Sequence, residues 1–135
     1  MLDRRKVAGI LAEMRDGVVV VGIGVNVNQS REQLPANAHT PPGSLRTITG
    51  SEHDRAALLD SVLGRLDESY EQWRTGGLEP LYGEIGARDF VRGRRVTVDG
   101  RPGSAVMIRR DGRLEVAVED GETTAVESGV LHVDR

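Results

Sequence analysis

The chain has 135 residues, 38% of them hydrophobic and 29% charged, with a formal net charge of -3. That length suits one domain, or one with a small appendage, and is enough to bury a core; the composition excludes a disordered chain. The mixed and slightly acidic charge balance excludes binding dominated by nucleic-acid phosphates, which leaves a basic footprint. No cysteine is present, so a disulfide framework and a thiolate nucleophile are both excluded, and a cytoplasmic location is the expectation. The first residues are polar and charged, unlike a secretory leader. The longest apolar run, 18–25, is far short of the about 20 residues that span a bilayer. His39, His53 and His132 share no metal-ligand spacing, so no metal site is expected from them.

In chain order, residues 6–14 and 18–27 read as two strands, and Asp16-Gly17 between them is a strong hairpin signal. Val18 to Val21 is an unbroken β-branched run, which predicts a strand buried on both faces. Residues 28–50 are rich in Asn, Pro, Gly, Ser and Thr and read as loop. A loop that long inside a compact domain is uncommon and, where real, often functional. Ser51 is the predicted N-cap of a helix, with Asp54 three residues on in the manner of a capping box. Leu59, Val62, Leu63, Leu66, Tyr70 and Trp73 follow the i, i+3, i+4, i+7 pattern of an amphipathic helix. On that stripe Trp73 reads as a core residue rather than a ligand-stacking one. Asp60, Asp67, Glu68 and Glu71 read as the solvated face, and Gly76-Gly77 as the stop.

A shorter, weaker helix is expected over 78–87. From about Val91 the period changes to two, and Asp-Gly turns at 99–100, 111–112 and 120–121 divide short strands. Even spacing and tight turns predict a small β-barrel or sandwich. The fold class is therefore α/β over 1–88 followed by an all-β module over 89–135, with the boundary near Arg88 to Gly93. Arg92, Arg94 and Arg95 flank the first strand of that module.

The hairpin carries the chemistry. Residues two apart on a strand share a face, so Gly22, Gly24 and Asn26 point one way while Ile23, Val25 and Val27 point the other. A two-residue turn at Asp16-Gly17 places Leu11 opposite Gly22, Gly9 opposite Gly24 and Val7 opposite Asn26. Facing glycines make a shallow trough in which a flat ligand can meet backbone, with Leu11 as apolar floor and Asn26 able to donate and accept at one end. In strict alternation Lys6 points away from this trough. Either the chain leaves strand geometry before Val7, or the turn uses Arg15, Asp16 and Gly17. The first keeps both glycine pairs useful and is preferred.

Taken together, "DRRKVAGILAEM", "VVVGIGVNVNQ", "PPGSLRTITG", "LLDSVLGRLDESYEQW" and the small C-terminal β module resemble, in that order, the rear half of a biotin–protein ligase. The resemblance implies an α/β core similar to class II aminoacyl-tRNA synthetases followed by an SH3-like barrel. It implies condensation of biotin with ATP to biotinyl-AMP, with Mg²⁺ required, and transfer of the biotinyl group to a lysine of a biotin carboxyl carrier domain. Lys6 matches the family's lysine that holds the biotin carboxylate and the forming acyl phosphate. Gly9, Leu11, Gly22 and Gly24 match positions lining the biotin rings. Asn26 matches an amide near the ATP, and Ser44 and Leu45 match a loop close to the nucleotide. Arg46 reads as a surface or loop-anchoring charge. No metal-ligating residue, nucleic-acid partner or membrane partner is implied for this segment, and a homodimer is compatible with it.

Family members also carry, before the KVAGIL-type strand, a glycine- and arginine-rich loop over biotin and phosphate and a Trp-Pro-Asn-Asp stretch. Neither occurs in these residues. The resemblance therefore implies a partial core, poor at making biotinyl-AMP by itself, with exposed apolar surface and unpaired sheet edges. Two other classes compete. One is a non-catalytic binding module that acts with a separate N-terminal piece. The other is a lipoyl- or octanoyl-transferring relative on the same core, against which the β module argues.

Overall fold

A computed structural model describes residues 1–36, 38, 40–118, 121–127, 129 and 131–133. By compactness the chain falls into two units, Met1–Val62 and Leu63–Arg135.

In the first unit, Asp16 and Gly17 both adopt left-handed backbone, with φ 52° and 78°, the pair of conformations that a two-residue type I′ turn requires. The turn joins β1 (Ala8–Arg15) to β2 (Val18–Val25). The antiparallel register pairs Arg15 with Val18, Leu11 with Gly22 and Gly9 with Gly24, as the sequence predicts. One face of this hairpin carries Gly9, Leu11, Gly22 and Gly24; the other is apolar throughout, from Ala8 and Ile10 to Ile23 and Val25.

Two-sided burial of the Val18 to Val21 run is not what the structure shows. Val18 is 62% and Val20 63% exposed on one face, Val19 56% and Ile10 72% on the other. The two strands form a sheet of their own, and among the described residues no layer covers either face. A β-branched run records what a strand is suited to pack against, not whether the partner lies in the same stretch of chain.

Residues 28–50 are not the plain loop expected from their composition. They hold a short 3-10 turn at Arg31–Gln33 and a helix, α1 (Leu45–Thr49). Both are capped locally. The Gln33 side chain accepts from the Ser30 amide at 2.8 Å, and Ser44 caps α1 by accepting from the Thr47 N–H at 3.0 Å. Gly50, at φ 79°, closes α1. Asn28 clips the segment to the residues beyond it. Its amide donates to the His53 carbonyl and accepts from the His53 N–H, both at 2.9 Å. Arg46 serves as the expected anchor, pairing with Glu52 at 3.1 Å.

The long helix α2 spans Arg55–Gly76. Its N-cap is Asp54, whose carboxylate accepts from the Ala56 and Ala57 amides at 2.8 and 3.2 Å. Ser51 is therefore not the cap; it lies one short turn too early, hydrogen-bonded with Thr49. Gly77, at φ 61°, ends the helix as expected. The apolar stripe forms but stays open: Leu59 is 58%, Leu66 49% and Trp73 48% exposed. The expectation that Trp73 sits in a core is thus corrected. The ring instead leans on Tyr70, with centroids 5.7 Å apart.

In the second unit, a 3-10 turn (Glu79–Leu81) leads into α3 (Tyr82–Ala87). Five antiparallel strands follow: β3 (Arg95–Val98), β4 (Arg101–Ile108), β5 (Leu114–Val118), β6 (Thr123–Val126) and β7 (Leu131–Val133). Their order in the sheet is β6-β5-β4-β3-β7. Asp99-Gly100 turns β3 into β4 with φ 47° and 81°, a second type I′ pair. Gly112 takes φ 86° in the next turn. Of the turn expected at 120–121, Asp120 lies outside the described residues, as does His39. A bulge between Ala105 and Met107 bends β4. The core is small and aliphatic: Val96, Val98, Ala105 and Val116, with Leu114, Val126, Leu131 and Val133 packed around them. Gly103 has no room for a side chain, since a Cβ there would stand 2.7 Å from the Ala117 carbonyl oxygen.

Two substitutions test these assignments. Asp54→Ala should lower stability by about 1 kcal/mol, the usual loss on removing an N-cap side chain, while Ser51→Ala should stay within about 0.5 kcal/mol; equal effects in urea titrations would contradict the cap. Val96→Ala, emptying a fully buried site, should cost about 2 kcal/mol, read from the same midpoint shift.

Candidate functional site

The mouth of the hairpin is built by a short crossing of chain segments. β1 begins at Ala8, so Lys6 stands outside the regular strand. Its backbone instead forms a single parallel bridge with Pro42. The Lys6 N–H donates to the Pro41 carbonyl at 2.9 Å, and the Gly43 N–H donates to the Lys6 carbonyl at 3.0 Å. Just upstream, Leu2 and Arg5 exchange both backbone hydrogen bonds around Asp3-Arg4. Those two residues have φ 46° and 58°, a left-handed pair without glycine that costs on the order of 1 kcal/mol per residue. This tight reversal delivers Arg5 and Lys6 against residues 41–43, and the Arg5 guanidinium reaches the Pro42 carbonyl at 3.4 Å.

Released from strand alternation, the Lys6 side chain lies over the glycine face. Its Cε is 3.9 Å from where a Cβ on Gly9 would stand, and nothing lies within 4 Å of the same point on Gly24. Of the two geometries open at the sequence level, the two-residue turn with departure before Val7 is the one observed. Asn26 follows directly on β2. Its N–H donates to the Val7 carbonyl at 2.8 Å, and its side-chain amide donates to the Gly43 carbonyl at 3.1 Å. The first turn of α1 docks on the same strand end: the Leu45 and Arg46 amides donate to the Asn26 and Val27 carbonyls at 3.0 and 2.9 Å. Amides that a helix start leaves without intrahelical partners thus bind the end of β2.

These segments enclose an open cleft of about 440 Å³, lined by Lys6, Gly9, Gly24, Asn26, Thr40 and Pro42 among others. That volume falls in the range of small-molecule sites. Among the described residues the cleft walls carry one cation, Lys6, and no carboxylate, so the site favours an anionic ligand group beside an apolar, bare floor. Among the described residues no cluster of three or more potential metal ligands occurs. Larger clefts of about 500 and 470 Å³ lie in the second unit, and in the first of them the charged side chains are engaged. Arg88 pairs with Glu84 at 2.6 Å, and Asp89 accepts from the Val91 and Arg92 amides. Chemistry rather than size therefore selects the hairpin cleft.

Of the residues singled out from sequence, Lys6, Gly9, Gly24 and Asn26 come together in this cleft. Leu11 and Gly22 face each other on the same sheet surface one step farther from the mouth, outside the cleft walls. Leu45 meets the site through its backbone, on Asn26. Ser44 is fully buried; its hydroxyl donates to the Gln29 carbonyl at 2.7 Å while capping α1, so its side chain is turned into the loop. At the 3-10 turn, the Ser30 hydroxyl donates to Glu32 at 2.6 Å and holds that carboxyl below the usual carboxylate range.

Thr40, Pro42 and Gly43 were not singled out, because nothing local to 40–43 announces a bridge to residue 6. One signal for Lys6 does stand in the sequence: it is the only lysine among 18 basic residues. A chain that uses arginine everywhere else has kept the compact ammonium here, and the two side chains are not interchangeable.

No family model matches the chain. It is 35% identical over 134 residues to the biotin–[acetyl-CoA-carboxylase] ligase of Mycobacterium tuberculosis, covering 95% of this chain and 48% of that protein. It is 33% identical over 86 residues to the bifunctional ligase/repressor BirA of Bacillus subtilis, covering 60% of this chain and 26% of that protein. The chain thus spans about half the length, or less, of these curated relatives. Among solved structures, the apo biotin protein ligase of Aquifex aeolicus superposes with a TM-score of 0.83 at 28% identity, over 97% of this chain and 60% of that one. The same enzyme in complex with biotin and ATP gives 0.81 over 98% and 57%. By sequence, and by a fold whose five-stranded antiparallel module is consistent with an SH3-like β domain, the chain is homologous to the C-terminal part of the biotin–protein ligases.

Proposed function

We propose that this chain contributes one wall of a biotin-activating site, in which biotin and ATP form biotinyl-AMP for transfer to a lysine of a biotin carboxyl carrier domain. The observation that carries this reading is the placement of the sole lysine over the bare Gly9–Gly24 floor, in a cleft with no carboxylate among its described residues. A fused bicyclic ring lies against facing glycines, where no Cβ stands between it and the backbone. Leu11 and Gly22 extend the same surface under the ligand's valeryl chain or ring edge. The Aquifex structure with biotin and ATP, to which the chain is similar, supports both ligands.

The chemistry asks for a cation at this place. In the first step a biotin carboxylate oxygen bonds to the α-phosphorus of ATP, the bond to the bridging oxygen breaks, and pyrophosphate leaves. Two anions must meet, and an ammonium between them offsets their repulsion and stabilises the charge on the transferring phosphoryl group. In the second step a carrier-domain lysine amine attacks the acyl carbon and AMP leaves. Asn26 borders the nucleotide end. Leu45 and Ser44 act there through the backbone and the α1 cap. Mg²⁺ is expected for an ATP reaction, yet the described residues of the cleft offer it no carboxylate. No ligand set for it is assigned to these residues, and no step is routed through it.

Residues 1–88 then belong to the catalytic core and 89–135 to the SH3-like module, a division proposed from the relatives' architecture. A cytoplasmic location goes with the same reading. The uncovered hairpin faces and α2 stripe favour a second element of the proposal: the 135 residues alone turn over poorly and require the rest of the core, in the same or a separate polypeptide.

Biotin-dependent ATP–pyrophosphate exchange tests both elements. The 135 residues alone should show little exchange, and joining them to the N-terminal half of the mycobacterial relative should produce it. In that active form Lys6→Gln should lower kcat by about a hundredfold or more, the usual loss on removing one electrostatic donor, and Lys6→Arg should not restore it. Full activity of Lys6→Gln would overturn the assignment of the site.

A further inference from the structure

We infer that Gly43, a residue without a side chain, is a positioning residue that holds two polar side chains of the cleft, Lys6 and Asn26, in place. The inference rests on the proposed role of Lys6 for its catalytic consequence, but its geometry stands apart from that role.

Among the described residues, Gly43 is the one hydrogen-bonded to both Lys6 and Asn26. Its N–H donates to the Lys6 carbonyl at 3.0 Å, and its carbonyl accepts from the Asn26 side-chain amide at 3.1 Å. The Asn26 amide would otherwise be free to rotate. Tied to Gly43, it directs its oxygen away from that bond and fixes which edge the cleft meets.

The position also measures a distance. A Cβ on Gly43 would stand 2.8 Å from the Cβ of Arg5, 3.1 Å from its Cδ and 3.3 Å from the Cδ1 of Ile48. The Ile48 atom is the tip of a flexible side chain and can give way. The Arg5 Cβ is fixed to the backbone one residue before Lys6, so relief there must move the 5–6 peptide. Retreat on the other side is blocked. Ser44, next in the chain, is fully buried and held by its hydroxyl on Gln29 at 2.7 Å. Even a methyl group at 43 therefore widens the gap between the segment carrying Lys6 and the loop carrying the Asn26 contact. Gly43 has no left-handed backbone to explain its identity; close approach alone requires it.

A double-mutant cycle in the 135-residue chain tests this without any ligand. Hydrogen exchange by NMR should show the residue-43 amide and the Asn26 side-chain amide losing protection by about tenfold or more in Gly43→Ala, because both bonds open locally. The paired amides of β1 and β2 should keep theirs. Adding Arg5→Gly removes two of the three colliding atoms and should restore both signals toward wild type. Loss of protection across the whole hairpin, no change in Gly43→Ala, or no rescue by Arg5→Gly would each overturn the inference.

The catalytic arm uses the joined, active form. Gly43→Ala should lower kcat about tenfold with KM for biotin changed less than about twofold, since the ammonium is displaced while the glycine floor is intact. Rescue by Arg5→Gly is again expected, and a loss confined to KM would contradict the assignment. If Lys6→Gln has no effect on exchange, the proposed function fails, and the hydrogen-exchange cycle still decides whether Gly43 couples Lys6 and Asn26.

Discussion

The close approach of residues 41–43 to Lys6 is the contact on which the site depends. β1 and β2 by themselves offer a face of bare positions and no cation. The parallel bridge to Pro42 takes Lys6 out of strand alternation and lays its side chain over Gly9. It works because several weak devices agree. A left-handed Asp3-Arg4 turn presents the segment, Gly43 leaves room for the Arg5 Cβ, and the capped start of α1 anchors the loop on the end of β2. None of these is worth more than about 1–2 kcal/mol alone, yet together they place an ammonium group and an amide in one cleft.

Register and stability have different origins in the hairpin. Turn chemistry at Asp16-Gly17 sets the pairing, and the pairing sets which residues share a face. A two-stranded sheet is only marginally stable in water. Each exposed aliphatic side chain on its faces would contribute about 1.5–3 kcal/mol once covered. Ile10, Met14, Val19 and Val21 are all largely exposed, so the hairpin's full stability is linked to what packs on it. The same holds for the stripe of α2. The β module differs, because its strands enclose their own core around Val96 and Val116. In that module Arg94 stacks on Phe90 at 4.3 Å while donating to the Phe90 carbonyl at 2.8 Å, which ties the entry to the first strand.

Much of this was legible from residue order because it is local. Two type I′ turns, the β1–β2 register, the end of α2 at Gly77 and the change of period in the last third follow from neighbours within a few positions. The resemblance to biotin–protein ligases was legible for the same reason, since its sharpest motifs are continuous strands. Two of the errors were local in kind, unlike the burial expected for Val18 to Val21 and for Trp73. Ser51 and Asp54 are both competent caps, and which one caps depends on where the preceding chain ends. The α1 helix was hidden in a loop-like composition because a five-residue helix has too few positions for a period to show.

What the sequence determined on its own, then, was pairing, turn type, helix limits and family, all decided by interactions between near neighbours. Only the tertiary structure decided that Lys6 faces the glycines, that Ser44 is a buried cap and that Gly43 joins Lys6 to Asn26. These depend on segments 15 or more residues apart, Ser44 and Gln29 or Lys6 and Pro42 among them, meeting at contact distance. No periodicity or propensity records such a meeting, because a glycine selected for close approach looks the same in sequence as one selected for a turn.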